Sequence, residues 1–482
     1  MHPFVLKDVV IEGAAAFDDE AFRASYSKYL ATTVGASELS QIAETITAKY
    51  RAAGYFLSRA IIPAQDVANG RLRIRIIEGY VSSISIDGDA GKLAAYADKL
   101  LGERPARLET LERALYLMGD VAGIQFKASH MVPDGDGLAA HKLIVAATRV
   151  RLDASFYGDN RGKPDAGELE AYARTGISSL ITFGDKLSLG YFFVPDQPEE
   201  LELGELNYVA ALGHDGTTLT LNGSLSRNDQ GDSGPGRANL AESARFFGQV
   251  SYPLIRSRAQ SLWIHGGIER LRIRNELAGA LAYEDDLAVV HAAATLRQAV
   301  GDGLATVYFE VSGGFEKAPG NPHSNVLADG HFIKAFAQTT LTQNLGSGFS
   351  VFGELDGQVS DRPLFMAEDF ALGGPRIGRA YDTGEISGED GIGGVVEVRY
   401  GRQIFNWLSG QVYGFYDAGI VWSENAPAGA EDATLNSTGV GVRLNLPYQL
   451  NVSYEAAKPL TRTPAVPGDK DLRHFFSLSF AM

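Results

Sequence analysis

From about residue 150 to its end the chain alternates apolar and polar side chains with period two, and helical periodicity is absent from that whole stretch. KLSLGYFF sets Leu187, Leu189, Tyr191 and Phe193 against Lys186, Ser188 and Gly190. TTLTLNGSLS sets Leu219, Leu221 and Leu225 against Thr218, Thr220, Asn222 and Ser224, and VGVRLNL sets Val440, Val442, Leu444 and Leu446 against Gly441, Arg443 and Asn445. A soluble sandwich alternates in the same way, so the pattern alone leaves two solutions. Size separates them. About sixteen such segments follow one another at about 21 residues each, which suits tilted membrane strands joined by alternating short turns and longer loops. They begin near residues 149, 168, 185, 201, 216, 241, 258, 286, 303, 331, 349, 393, 408, 434, 448 and 472. Hydrocarbon cannot satisfy an open sheet edge, so a spanning sheet has to close, and about sixteen strands enclose a lumen. The last segment, DLRHFFSLSFAM, places Phe476, Leu478, Phe480 and Met482 outward, as an interfacial girdle requires.

The first 150 residues are of another kind. VLKDVVIEG reads as a strand, DDEAFRASYSKYL as a short helix, and SELSQIAETITAKYRAAG as a longer one with Leu39, Ile42, Ile46 and Tyr50 on one face. Ser37 is placed to cap that helix and Gly54 to end it. Two strands follow, LSRAIIPAQ and GRLRIRIIEG. The same order recurs in VSSISIDGD, LAAYADKLL, ARLETLERALYLMGD, GIQFKASHMVP and LAAHKLIVAATRV. Two β-α-α-β-β units therefore stand in tandem over residues 1–79 and 80–149, ahead of a barrel over 150–482. Each unit leaves a sheet edge able to accept an extended polypeptide as an added strand.

One connection breaks the even spacing. Residues 370–400 read FALGGPRIGRAYDTGEISGEDGIGGVVEVRY, with Gly373, Gly374 and Gly378 before a single Arg379 and Gly388, Gly391, Gly393 and Gly394 after it. A loop of roughly thirty residues is uncommon unless functional or disordered, and Phe370, Leu372, Ile377, Tyr381 and Ile386 are residues that pack. The expectation is a loop, 362–392, that folds inward.

Register supplies candidate partners for the arginine. In QVYGFYDAGIVW, Val412, Tyr416, Ala418, Ile420 and Trp422 make the apolar face, so Phe415, Asp417 and Gly419 point into the lumen. A carboxylate facing lipid would be costly, which fixes this register. Asp417 is then an inward anion within reach of Arg379, with inward Glu397 and Arg399 competing for the same contacts.

Composition narrows the function. A net charge of -16 disfavours nucleic acid, and the absence of cysteine excludes disulfides and thiolate metal sites. No run of eighteen apolar residues marks a transmembrane helix. The first residues, MHPFVLKDVVIEG, lack the charged-then-apolar pattern of a signal peptide. His-Glu-x-x-His, Gly-x-Ser-x-Gly and the phosphate-cradling glycine loop are all missing from the sequence. Glu284-Asp285-Asp286 and Asp134-Gly-Asp136 read as loop and turn markers. No catalytic residue, metal or cofactor is expected.

Taken together, the tandem units, the barrel, Gly378-Arg379-Ala380-Tyr381 in the sixth large loop, and Phe415-Tyr416-Asp417-Ala418-Gly419 on a following strand resemble the two-partner secretion transporters. These are the TpsB proteins of the FhaC and ShlB type, related to the BamA assembly factors. GYFLSRAIIPAQD and GRLRIRIIEGY resemble the first POTRA domain of that family. The resemblance implies an outer-membrane barrel whose periplasmic POTRA domains capture an unfolded secreted exoprotein and whose lumen exports it without nucleotide. It implies a β-helical partner of the TpsA type, recognised through its N-terminal secretion domain, and a monomeric barrel in outer-membrane lipid. It also implies that the loop motif Gly378, Arg379, Ala380 and Tyr381 meets the wall motif Phe415, Asp417 and Gly419. The sequence departs from the family pattern at three points. Gly378 stands where valine is usual and Ala380 where glycine is usual. The first strand begins by about residue 4, where the family commonly has a preceding plug helix. Met482 ends the chain where an aromatic is frequent. A BamA-like insertase is the alternative reading. A passive porin would leave the two repeats without purpose, and an outer-membrane lipase would need serine and histidine converging on the outer wall.

Overall fold

Period-two patterning becomes strand wherever one face can be buried, and here the strands are long enough to close on themselves. The computed structural model describes all residues except 1–2, 136, 163–166, 199, 231–238, 318–319, 424–431 and 465–467. The chain divides into two compact units, Met1–Val150 and Arg151–Met482.

In the first unit, strand Asp8–Glu12 pairs in parallel with Arg71–Ile77, which pairs antiparallel with Arg59–Ile61. The helix Ala36–Ala52 covers this sheet with the expected face, and Leu39, Ile42, Ile46 and Tyr50 are all buried. Its start is capped by Glu38, whose carboxylate accepts the Gly35 N–H at 2.8 Å, rather than by Ser37. The shorter helical stretch is broken into 3-10 turns around a single α turn, Arg23–Tyr26. Glu78 closes the core from below. One of its oxygens accepts the Tyr50 hydroxyl at 2.7 Å and the N–H groups of Ala15 and Ala16 at 2.8 Å each. The second repeat builds the same kind of sheet, with Ala140–Arg149 central between Tyr80–Asp87 (parallel) and Ile124–Pro133 (antiparallel). Asp134 marks a turn as expected, accepting from the Ser82 hydroxyl at 2.6 Å, while Asp136 lies outside the described residues.

The second unit is a closed barrel of sixteen strands, each antiparallel to its neighbours, with Arg473–Ala481 returning to Leu152–Asp159. Inner and outer faces follow the alternation. Leu189, Leu225, Val440, Tyr416, Phe476 and Phe480 are exposed on the outside, and Ser188, Tyr413, Phe415, Asp417 and Ser437 are buried on the inside. At the turns, Phe405 stacks on Trp407 at 5.7 Å and both are exposed, as aromatic side chains at a membrane interface are.

Glu284-Asp285-Asp286 corrects the sequence reading. These residues lie inside the longest strand, Ala280–Val300, and are buried. Arginines of the preceding strand Gln260–Leu277 neutralise them, with Arg272 Nη2 at 2.7 Å from Glu284 and Arg270 Nη2 at 2.9 Å from Asp286. Asp285, on the other face, accepts the Ser324 N–H at 3.1 Å. Three consecutive acids can stay in a strand when each finds a donor, and local composition does not show those donors.

Candidate functional site: a loop latched to the inner wall

The loop between strands Phe349–Ser360 and Asp390–Phe405 forms a small hairpin of its own, with Phe370–Leu372 paired to Ile386–Gly388. Phe370, Leu372, Ile377, Ala380, Tyr381 and Ile386 are buried in one cluster with the inward residues Val395, Tyr413, Phe415, Val421 and Leu435. The loop is therefore folded against the inside of the wall.

Small residues on the wall make that fit possible. A Cβ at position 419 would stand 2.3 Å from Leu372 Cδ1, one at 393 would stand 2.6 Å from Leu372 Cδ2, and one at 391 would stand 2.2 Å from Phe370. Gly419 thus acts through the space it leaves. Gly378 acts through its backbone: its φ of +87° is the left-handed region, and a side chain there would meet Leu435 Cδ1 at 2.7 Å. This accounts for glycine at 378, and Ala380 takes a place with no positive φ and no exposure.

Arg379 is 4% exposed and sits among three carboxylates. Its Nη1 donates to Glu397 at 2.6 Å and to Glu455 at 3.2 Å. Its Nε lies 3.7 Å from Asp417 Oδ2, an ion-pair distance without a hydrogen bond. Asp417, 0% exposed, instead grips the loop backbone: Oδ2 accepts the N–H groups of Gly378 at 3.1 Å and Arg379 at 2.9 Å, together with the Ser437 hydroxyl at 3.0 Å. Glu397 also receives Arg443 and Arg399, so Arg399 is a neighbour of the shared carboxylate and not an alternative to Asp417. The Arg379 guanidinium lies 4.0 Å from the centre of the Phe415 ring, which gives that motif residue its place in the site. Tyr381 reaches the other side, donating to the Asn436 carbonyl at 3.1 Å.

Several members of the site were not singled out in the sequence. Glu455 bonds Arg161 Nη2 at 2.7 Å and the Tyr413 hydroxyl at 2.8 Å. Tyr413 crosses directly over Gly441, where a Cβ would stand 2.3 Å from its ring. Arg161 also donates to the Arg379 carbonyl at 3.1 Å and covers the Phe475 ring at 3.7 Å. Arg473 holds the Ala380 carbonyl at 3.1 Å and Asp382 at 2.6 Å. The signal for Glu455 was the same as for Asp417. In NVSYEAAKP it alternates with the outward-facing Tyr454 and is a carboxylate on an inner face.

A barrel with this loop and this preceding unit also matches described proteins. The family model for haemolysin secretion/activation protein ShlB/FhaC/HecB matches residues 143–444, and that for the ShlB-type POTRA domain matches residues 4–79. The chain belongs to the ShlB/FhaC/HecB family. Heme/hemopexin transporter protein HuxB of Haemophilus influenzae is 21% identical over 464 residues, covering 90% of this chain and 79% of HuxB. Outer membrane transporter CdiB of Dickeya dadantii (strain 3937) is 21% identical over 429 residues, covering 85% of this chain and 73% of that CdiB. Among solved structures, CdiB from Escherichia coli superposes with a TM-score of 0.80 at 16% identity, covering 100% of this chain and 91% of the other. As a ShlB/FhaC/HecB member the chain is an outer-membrane transporter that exports a partner protein, with POTRA domains on the periplasmic side. The secretion family, and not the BamA-like alternative, accounts for it.

Proposed function

We propose that the chain captures one secreted exoprotein in extended form on its POTRA sheet edges and passes it through the barrel lumen without nucleotide. In this reading residues 1–79 and 80–149 are the two POTRA domains and 150–482 is a barrel that works as a monomer. The partner is β-helical, of the TpsA kind, and engages through its N-terminal secretion domain. The exposed edge strand Ile124–Pro133, ten residues long, supports capture by strand addition. The names of the relatives, a heme/hemopexin transporter and an outer membrane transporter, support a transport role.

The observation that carries the reading is the burial of Arg379 against Glu397, Asp417 and Glu455. A loop anchored this firmly across the inner wall defines one state of the lumen, and export requires another in which the polypeptide has passage. Arg379, with Gly378, Ala380 and Tyr381, is the anchor of the first state, and Phe415, Asp417 and Gly419 are its receiving wall. Arg379→Ala is expected to leave the barrel inserted and heat-modifiable while abolishing export of the partner, read as partner protein in the culture medium. Export at the unmodified level would remove the loop from the mechanism.

A further inference from the structure

A second arginine of the loop has a different kind of attachment. Arg376, three residues before Arg379, donates through Nη2 to Glu354 and, at 2.6 Å, to Asp356, both on the inner face of strand Phe349–Ser360. The Arg376 side chain is 57% exposed, whereas the two carboxylates are 10% and 6% exposed. Gln338 also donates to both, at 3.2 and 3.4 Å, yet Oδ1 of Asp356 has no hydrogen-bond partner among the described residues. At the Arg379 site the arginine and its three carboxylates are all nearly dry, but here the cation alone is wet.

We infer that Glu354 and Asp356 are a lumenal subsite for a lysine or arginine side chain of the exported polypeptide, and that Arg376 occupies it as an exchangeable substitute. The inference rests on the transport reading above. The physical reason is one of access. A buried carboxylate pair is costly without a cation, so the pair retains a cation throughout. A solvated guanidinium loses little when it returns to water. A basic side chain arriving along the lumen can therefore replace Arg376 at nearly equal free energy, which detaches the loop from strand Phe349–Ser360 while the Arg379 anchor is still in place. No bond is made or broken covalently, and the number of charges in the subsite is unchanged. The subsite selects for basic residues in the leading segment of the partner and against acidic ones, because a third carboxylate would be repelled there.

The absence of cysteine allows a direct test. The buried Ile377, next to Arg376, is replaced by cysteine in the full chain, and its thiol-labelling rate is followed in proteoliposomes. The probe is a capped pentapeptide Gly-Arg-Gly-Arg-Gly, compared with Gly-Glu-Gly-Glu-Gly. The arginine peptide is expected to raise the labelling rate at least threefold and the glutamate peptide to leave it unchanged. Arg376→Gln should raise the basal rate by a similar factor, and Arg376→Lys should restore it. In Glu354→Gln/Asp356→Asn the arginine peptide should have no effect. Equal acceleration by both peptides, or acceleration that survives loss of the two carboxylates, overturns the subsite. Partner export that persists in Glu354→Gln/Asp356→Asn with no change in its dependence on basic residues also overturns it, while leaving the transport reading intact.

Discussion

Asp417 holds Arg379 by its backbone N–H, at 2.9 Å, and leaves the guanidinium to Glu397 and Glu455. This division of labour decides the outcome of a charge exchange. In Arg379→Asp/Asp417→Arg the new arginine has no acceptor among the N–H groups of the loop tip, and the new aspartate faces Glu397 and Glu455. The double variant is expected to be no better than either single one in export. Asp417→Asn, which keeps one acceptor oxygen, should retain part of the docking that Asp417→Ala loses. Removing one member of a buried ionic cluster costs about 3–5 kcal/mol, so Glu397→Ala should undock the loop as fully as Arg379→Ala. Protease accessibility of the loop measures docking, and rescue by the double exchange would contradict the geometry.

The tip carries its left-handed residue at Gly378, with φ +87°. Restoring the valine usual in the family is expected to harm this chain, since a non-glycine residue there costs about 1–3 kcal/mol in backbone strain and also displaces Leu435. Gly378→Val should raise loop accessibility and lower export, and Gly378→Ala should do so less. Gly419→Ala tests the wall independently, because its added methyl competes with Leu372 without touching a charge. Unchanged loop accessibility in all three would show that the fit is looser than these distances require.

Much of this was legible because one physical rule governs it. The sixteen strands were placed from alternation, and most expected starts lie within three residues of the observed ones. The largest difference, 286 against Ala280, came from reading Glu284-Asp285-Asp286 as loop, when Arg270 and Arg272 on the neighbouring strand make them tolerable inside one. The inward face of Asp417 followed from period two alone, and so in principle did that of Glu455. What alternation does not encode is which inward groups converge across five strands. Arg161 and Glu455 are separated by 294 residues and meet only because the sheet closes. The hidden role of Gly441, letting Tyr413 lie across it to reach Glu455, likewise depends on register between strands.

A pH dependence follows from the base of the hairpin. Burial, reinforced by the charge of Glu389, pushes the Asp369 carboxyl up to about 7, and Ser387 donates to it at 3.3 Å. Glu368 and Lys334 pair beside it at 2.7 Å. A carboxyl raised in the docked state keeps its proton there, whereas once released it ionises near its ordinary value of about 4. Docking from this group is thus fully favourable below about 4 and weakens as pH rises from there to about 7, where the docked form also ionises. Loop accessibility should increase over that window, and Asp369→Asn should flatten the rise. A profile with the opposite slope would exclude Asp369 as its source.

The barrel closes over a short seam, and a side chain extends it. Strands Leu152–Asp159 and Arg473–Ala481 pair from Ser155 with Ala481 to Asp159 with Ser477, preceded by two backbone hydrogen bonds between Ala154 and Met482. Just beyond, the Asn160 amide donates to the His474 carbonyl at 3.0 Å and its oxygen accepts the Phe476 N–H at 2.7 Å, so one side chain supplies both bonds that a further strand residue would have made. Without it, two backbone groups of an edge are unpaired beside the membrane, where water is scarce. Asn160→Ala is expected to destabilise the closed barrel by about 1–3 kcal/mol and to lower the temperature at which the heat-modifiable band is lost. Asn160→Asp keeps the acceptor but not the donor and should fall between the two. Melting of Asn160→Ala at the unmodified temperature would show that the seam is held by its backbone pairs alone.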